Sequence, residues 1–263
     1  MSKFNIFFYC LISVTQFLPL LLFSQKFTVE NFKESNPNFN QDIYEFPILQ
    51  GSNTKVINRV NEHIVLNILD IEYGKQLQSI FENVWRDKEN PVAPINYLTY
   101  NVNYLTDEVY SVTISGEWCG AYCEGFETTL NFNLTSGDVI TLQSLVNENT
   151  YNLMLDEFNL NKTTIIAEKL NEINEILETK IIDEEQVNVL TVMKELYENC
   201  TTNYESLNEF DFIINPEELV IVGEKCSLHH NRAIDELGEF KMAFKVETFK
   251  NELTDLGKSF FFE

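Results

Sequence analysis

The chain has 263 residues with 41 acidic and 18 basic side chains, a formal net charge of −23. Such a charge repels nucleic acid and anionic lipid, which excludes both as partners and leaves a basic partner as the one its field would steer inward. A hydrophobic share of 44%, with 21 Phe and 11 Tyr, is enough for a large packed core and excludes a chain disordered throughout.

Lys3, the apolar stretch from Ile6 to Phe23 and the small Ser24 read as an export signal over residues 1–24, with a mature chain starting at Gln25. Asn5, Gln16 and Pro19 interrupt that stretch and argue against a retained anchor. A secreted or periplasmic protein without stable membrane insertion after cleavage is expected. Residues 25–40 are Asn-rich with little periodicity and are expected to form a flexible segment. Asp42 to Leu49 then reads as a strand closed by Gly51, and a helix follows, capped by Ser52 or Asn53, with Val56, Ile57, Val60, Ile64 and Ile68 on one stripe. Leu77, Ile80, Phe81, Val84 and Trp85 repeat the helical spacing over Lys75 to Trp85, and NPVAP at 90–94 breaks it.

From Asn96 the period changes to two. Leu98, Tyr100, Val102 and Tyr104 share one face of a strand, as do Tyr110, Val112 and Ile114, and then Leu130, Phe132 and Leu134. Ser111, Thr113 and Ser115, with Thr129, Asn131 and Asn133, occupy the other face, so an antiparallel three-strand meander with one packed and one wet face is expected. Gly137 closes its last turn and ITLQSLV opens a short helix. Residues 150–200 are helical, with a break at Asp183-Glu184-Glu185 whose acids suit a helix start. Strands return at Phe210 to Ile214, Leu219 to Val222 and Phe240 to Val246, and a final helix is expected over FKNELTDLG. The organisation is therefore an α+β fold of antiparallel sheets with packed helices, in two intimately associated halves at 41–148 and 149–263.

Export removes Cys10 with the signal and leaves four cysteines for an oxidising compartment. The preferred pairing is Cys119 with Cys123 across the hairpin and Cys200 with Cys226. The rival is a zinc set of Cys119, Cys123, Cys226 and His229. No metal and no cofactor are expected.

Motifs for chemistry are absent: the chain has no Gly-x-Ser-x-Gly elbow, no His-Glu-x-x-His, no phosphate loop and no dinucleotide fingerprint. His229-His230, with Glu224 and Asp235 nearby, suggest at most a metal or acid–base loop, and adjacent side chains on a strand point to opposite faces. The stronger candidate surface is the hairpin tip with Glu117, Trp118, Tyr122 and Glu124, where rings held by a disulfide stack on a sugar or anchor a protein partner.

The runs VYSVTISGEWCGAYCEGFETTLNF and FNLTSGDVITLQSLV, with FIINPEELVIVGE and GEFKMAFKVETF near the end, resemble the extracytoplasmic domain-of-unknown-function pair of RsiV-type anti-sigma factors and PdaC-type peptidoglycan deacetylases. The resemblance spans about residues 40–262 and departs at CSLHHNRAIDELG. It implies an α+β fold and, in the anti-sigma members, binding of lysozyme; in the deacetylases catalysis belongs to a separate metal-binding domain for which this chain has no room. The expected function is that of an exported, non-catalytic module binding a cell-envelope glycan or a basic protein such as lysozyme. The alternatives are a metal-dependent envelope hydrolase using the 226–235 loop and a structural accessory domain without a soluble ligand.

Overall fold

A computed structural model describes residues 26–85, 95–119, 123–208, 210–227 and 229–262. The expected export signal and Tyr122 lie outside the described residues. No described helix is long and apolar enough to cross a membrane.

The first sheet takes its six strands in chain order: β1 (Phe27–Ser35), β2 (Ile43–Gly51), β3 (Tyr97–Leu105), β4 (Val109–Cys119), β5 (Cys123–Asn133) and β6 (Asp138–Val139). The stretch expected to be flexible instead holds β1, which pairs residue by residue with β2 from Phe27↔Gly51 to Ser35↔Ile43. Burial of Phe27 and packing of Val29 on the core fix the strand, and the Asn36 carboxamide oxygen closes the turn by accepting from the N–H groups of Asn38 and Phe39. The sheet also departs from a purely antiparallel one, because β2 and β3 run parallel where Tyr44 meets Leu98. The cause is α1 (Thr54–Leu69), which carries the chain across the sheet face as parallel neighbours require.

Asn53 caps α1 by accepting from the Val56 N–H. The apolar side of α1, with Val56, Ile57, Val60, Ile64 and Val65, packs on Tyr44, Phe46, Tyr110, Val112, Ile114 and Phe132. Asn61 is buried within this contact and pins helix to strand, accepting from Leu49 N–H at 2.9 Å and donating to Leu49 C=O at 3.0 Å. The helix expected over Lys75 to Trp85 does not form. Glu82 draws the N–H groups of Leu77 and Gln78 onto its carboxylate, and only single turns remain. Ile80, Phe81 and Val84 are nevertheless buried, so the apolar spacing reported burial rather than helix.

The second sheet is antiparallel, β7 (Asp211–Ile214), β8 (Glu218–Gly223) and β9 (Phe240–Lys245). It packs with α3 (Glu148–Thr179) and α4 (Glu184–Asn199) around Met154, Phe158, Ile166, Met193 and Tyr197. Asp183 and Gln186 form a capping box at the start of α4, where the acidic break suggested a helix start. A short helix α2 (Leu142–Leu145) and the terminal α5 (Asp255–Phe262) close this half. The last helix thus starts later than expected, because Val246–Glu252 is a 3₁₀ stretch. Gly257 lets the two short helices touch, since a Cβ there would collide with the Leu145 carbonyl oxygen.

The polar face of the meander is not wet: Ser111 and Asn131 are buried. Strand β7 lies over it. Thr129 N–H donates to Asp211 Oδ2 at 2.8 Å, Asn131 Nδ2 donates to the Phe212 carbonyl at 2.7 Å, and Ile214 N–H donates to Ser111 Oγ at 3.3 Å. The Ser111 and Asn131 side chains therefore satisfy backbone groups of β7, while the Asp211 side chain of β7 accepts from the Thr129 backbone in return. The chain is an α+β protein of two cores joined along this face.

Candidate functional site: a groove between the two halves

The β4–β5 hairpin stays paired to its end, where Cys119 faces Cys123 and the two form a disulfide. Near the tip Phe126 lies over Gly116, where any Cβ would meet the ring at 2.7 Å. Trp118 sits opposite Glu124 and is 38% exposed. Two ion-pair contacts tie this hairpin to the second half. Glu124, its carboxylate mostly buried, pairs with Arg232, and Lys241 lies 3.6 Å from Glu127 and 3.2 Å from Glu239.

The loop that carries Arg232 is itself held from inside. Asp235 accepts from the N–H groups of Ser227, Leu237 and Gly238, and the Tyr197 hydroxyl donates to it at 3.2 Å while accepting from Glu236 N–H at 2.9 Å. The Cys200–Cys226 disulfide anchors the same loop to the end of α4.

Between hairpin and loop runs a groove of three lobes. The outer lobe, about 550 Å³, is lined by Tyr97, Ser115, Phe126, Lys225 and Arg232. The middle lobe, about 610 Å³, adds Trp118, Phe210 and Asp211, and shares Glu124, Glu127, Lys225, Arg232, Glu239 and Lys241 with the first. The inner lobe, about 390 Å³, meets the middle one at Thr129, Phe210 and Asp211 and continues to Val139, Leu142 and Leu207. Each lobe has the size of a small-molecule site; rings and charged groups both line the outer and middle lobes, whereas among the described residues Asp211 is the one charged residue lining the inner lobe. Asp211 stands at the junction. Burial raises its carboxyl above the usual carboxylate range, the Thr129 N–H opposes that rise, and the charge of Glu239 adds to it.

Of the residues expected at the site, Trp118 and Glu124 line the groove, whereas Glu117 turns to Asn96, whose Nδ2 donates to it at 3.1 Å. Tyr122 is not among the described residues. The three sulfurs of the rival zinc set, those of Cys119, Cys123 and Cys226, are all held in the two disulfides, and His229 lies at the start of a 3₁₀ turn, His229–Ile234. Glu117 comes close to the Cys119 and Cys123 sulfurs, but a disulfide offers no thiolate for a metal. Sequence reasoning missed Tyr97, Phe210, Asp211, Lys225, Arg232 and Lys241. Only Asp211 left a trace, as the acid between Phe210 and Phe212 in an otherwise apolar run.

No family model matches the chain, and no curated protein does. Among solved structures, the chain is similar to a member of the DUF3298 family from Bacteroides fragilis NCTC 9343, with 11% identity over 88% of this chain and 94% of that one and a TM-score of 0.45. It is likewise similar to a DUF3298 family protein from Pseudomonas aeruginosa PAO1, with 8% identity over 88% of this chain and 95% of that one and a TM-score of 0.47.

Proposed function

We propose that this protein is an exported, non-catalytic binding module that takes a cell-envelope glycan into the groove between its halves. The observation that supports it is the groove wall, which Trp118, Phe126 and Phe210 line together with Glu127, Asp211, Glu239 and Lys241. Rings take the apolar faces of sugars and charged groups take their hydroxyls, which is what an oligosaccharide site requires. Export is supported by the apolar run after Lys3 and by two disulfides, which persist in oxidising compartments.

A second ligand, a basic protein such as lysozyme, is favoured by the formal charge of −23 and by the motifs resembling those of RsiV-type anti-sigma factors. Capture of soluble peptidoglycan fragments and of lysozyme on immobilised protein, at low and high salt, separates the two. Glycan binding persists at high salt and falls about tenfold or more in Trp118→Ala, the loss of one stacked ring. Capture of lysozyme alone, abolished by salt and indifferent to Trp118, would replace the glycan reading by the electrostatic one.

A further inference from the structure

Resting on the glycan reading above, we infer that the inner lobe of the groove is a pocket for an acetamido group, so that the ligand is an N-acetylated glycan. The lobe has two unlike walls. Val139, Leu142, Leu207 and Phe212 make one apolar, while Asn131 and Asp211 place polar atoms in the other. Among the described residues only the Thr129 N–H reaches the Asp211 carboxyl, at Oδ2, so its other oxygen keeps its accepting capacity. Asn131 is 3% exposed, its Nδ2 is spent on the Phe212 carbonyl, and among the described residues its Oδ1 has no hydrogen-bond partner. This wall therefore presents accepting capacity on Asp211, which favours a ligand that brings a donor.

The complementary group carries an N–H donor beside a small apolar end. A plain hydroxyl leaves the apolar wall in water. A carboxylate meets the negative field of Asp211 and Glu239, and an ammonium must lose its hydration against Leu207 and Phe212. An acetamide satisfies both walls, its N–H on the Asp211 carboxyl and its methyl against Val139 and Leu207. The junction position of Asp211 then places the sugar ring in the middle lobe, toward Trp118.

The test is calorimetric titration of the purified protein with three hexasaccharides: β-1,4-linked N-acetylglucosamine, its fully deacetylated glucosamine counterpart, and glucose, at a salt concentration that screens the amine's charge. The acetylated chain is expected to bind about tenfold more tightly than the glucose chain, the worth of one hydrogen bond and one buried methyl. Val139→Asp, at a half-exposed edge position where folding tolerates the change, and Asp211→Asn are each expected to erase that preference. Equal binding of all three, or tighter binding of the amine, overturns the acetamido pocket and leaves the glycan reading standing. A preference that survives Val139→Asp also overturns it, and no binding of any hexasaccharide removes both readings.

Discussion

Replacing Cys200 and Cys226 together by alanine is expected to remove about 3.5 kcal/mol of folding stability and to lower the melting temperature by about 10 °C. The bridge spans a sequence separation of 26 residues and ties the end of α4 to the loop after β8, so its absence frees a long segment of the unfolded chain. That segment contains β7 and β8, hence Asp211 and Phe210 of the groove wall. The Cys119–Cys123 bridge, with a separation of 4, closes a tip already paired by the hairpin and is expected to contribute about 2 kcal/mol. Urea denaturation of the two double variants, followed by circular dichroism, reads the contrast. A larger loss from the short bridge, or none from the long one, would mean that the second half is held by its core alone.

Lys162→Ala is expected to cost about 3 kcal/mol, an unusual loss for a lysine. Its side chain is 4% exposed in the second core, its ammonium donates to the Thr202 carbonyl at 2.8 Å and it sits 4.0 Å above the Tyr204 ring. Removal leaves a cavity, an unpaired carbonyl and a ring without its cation. Lys162→Met keeps the volume and should lose less, about 1–2 kcal/mol. The two proteins should also differ in pH dependence. Burial lowers the Lys162 pKa in the folded state, against a smaller opposite pull from Glu224. A lowered amine pKa means that the unfolded chain binds more protons, so the wild type gains stability relative to Lys162→Met as pH rises through the folded value toward 10.5, and loses it as pH falls. Tyr204, whose hydroxyl burial and then the charge of Glu224 hold above its ordinary value of 10.0, acts in the opposite sense only above that pH. Stability curves for both proteins between pH 7 and 10 check the sign, and parallel curves would show that the ammonium is not buried as described.

Much of the scaffold was legible because it obeys simple periods. The alternations Tyr110, Val112, Ile114 and Leu130, Phe132, Leu134 became β4 and β5, and the stripe from Val56 to Ile64 became the buried side of α1. Gly137 adopts φ 81° in the turn its position suggested, and both disulfides have the pairing that spacing and compartment favoured. Period alone does not say what covers a face. Ser111, Thr129 and Asn131 alternate as a solvated face would, and only the tertiary structure shows that they receive β7. Strand β1 was hidden because Asn and Glu separate its few apolar positions, and it is held mainly by pairing to β2.

The site divides in the same way. Trp118 and Glu124 were legible as aromatic and acidic residues at a hairpin tip, a local feature. Asp211, Arg232 and Lys241 reach the groove from segments some hundred residues away, and one carboxylate among 41 acidic residues carries no mark of its own. The sequence does not reveal that Glu124 pairs with Arg232 and so clamps the hairpin to the other half.

We propose that the groove, and not the acidic outer surface, receives the ligand. This is tested most directly by nuclear magnetic resonance titration of the labelled protein with N-acetylglucosamine hexasaccharide, following backbone amides and the two indole N–H signals. The chain has only Trp85 and Trp118, and Trp85, packed against the first core, serves as the internal control. Shifts are expected at Trp118, Phe126, Thr129, Phe210 and Asp211 with the Trp85 indole unmoved. Shifts confined to α3 and α4, or an unchanged spectrum at saturating sugar, would contradict it.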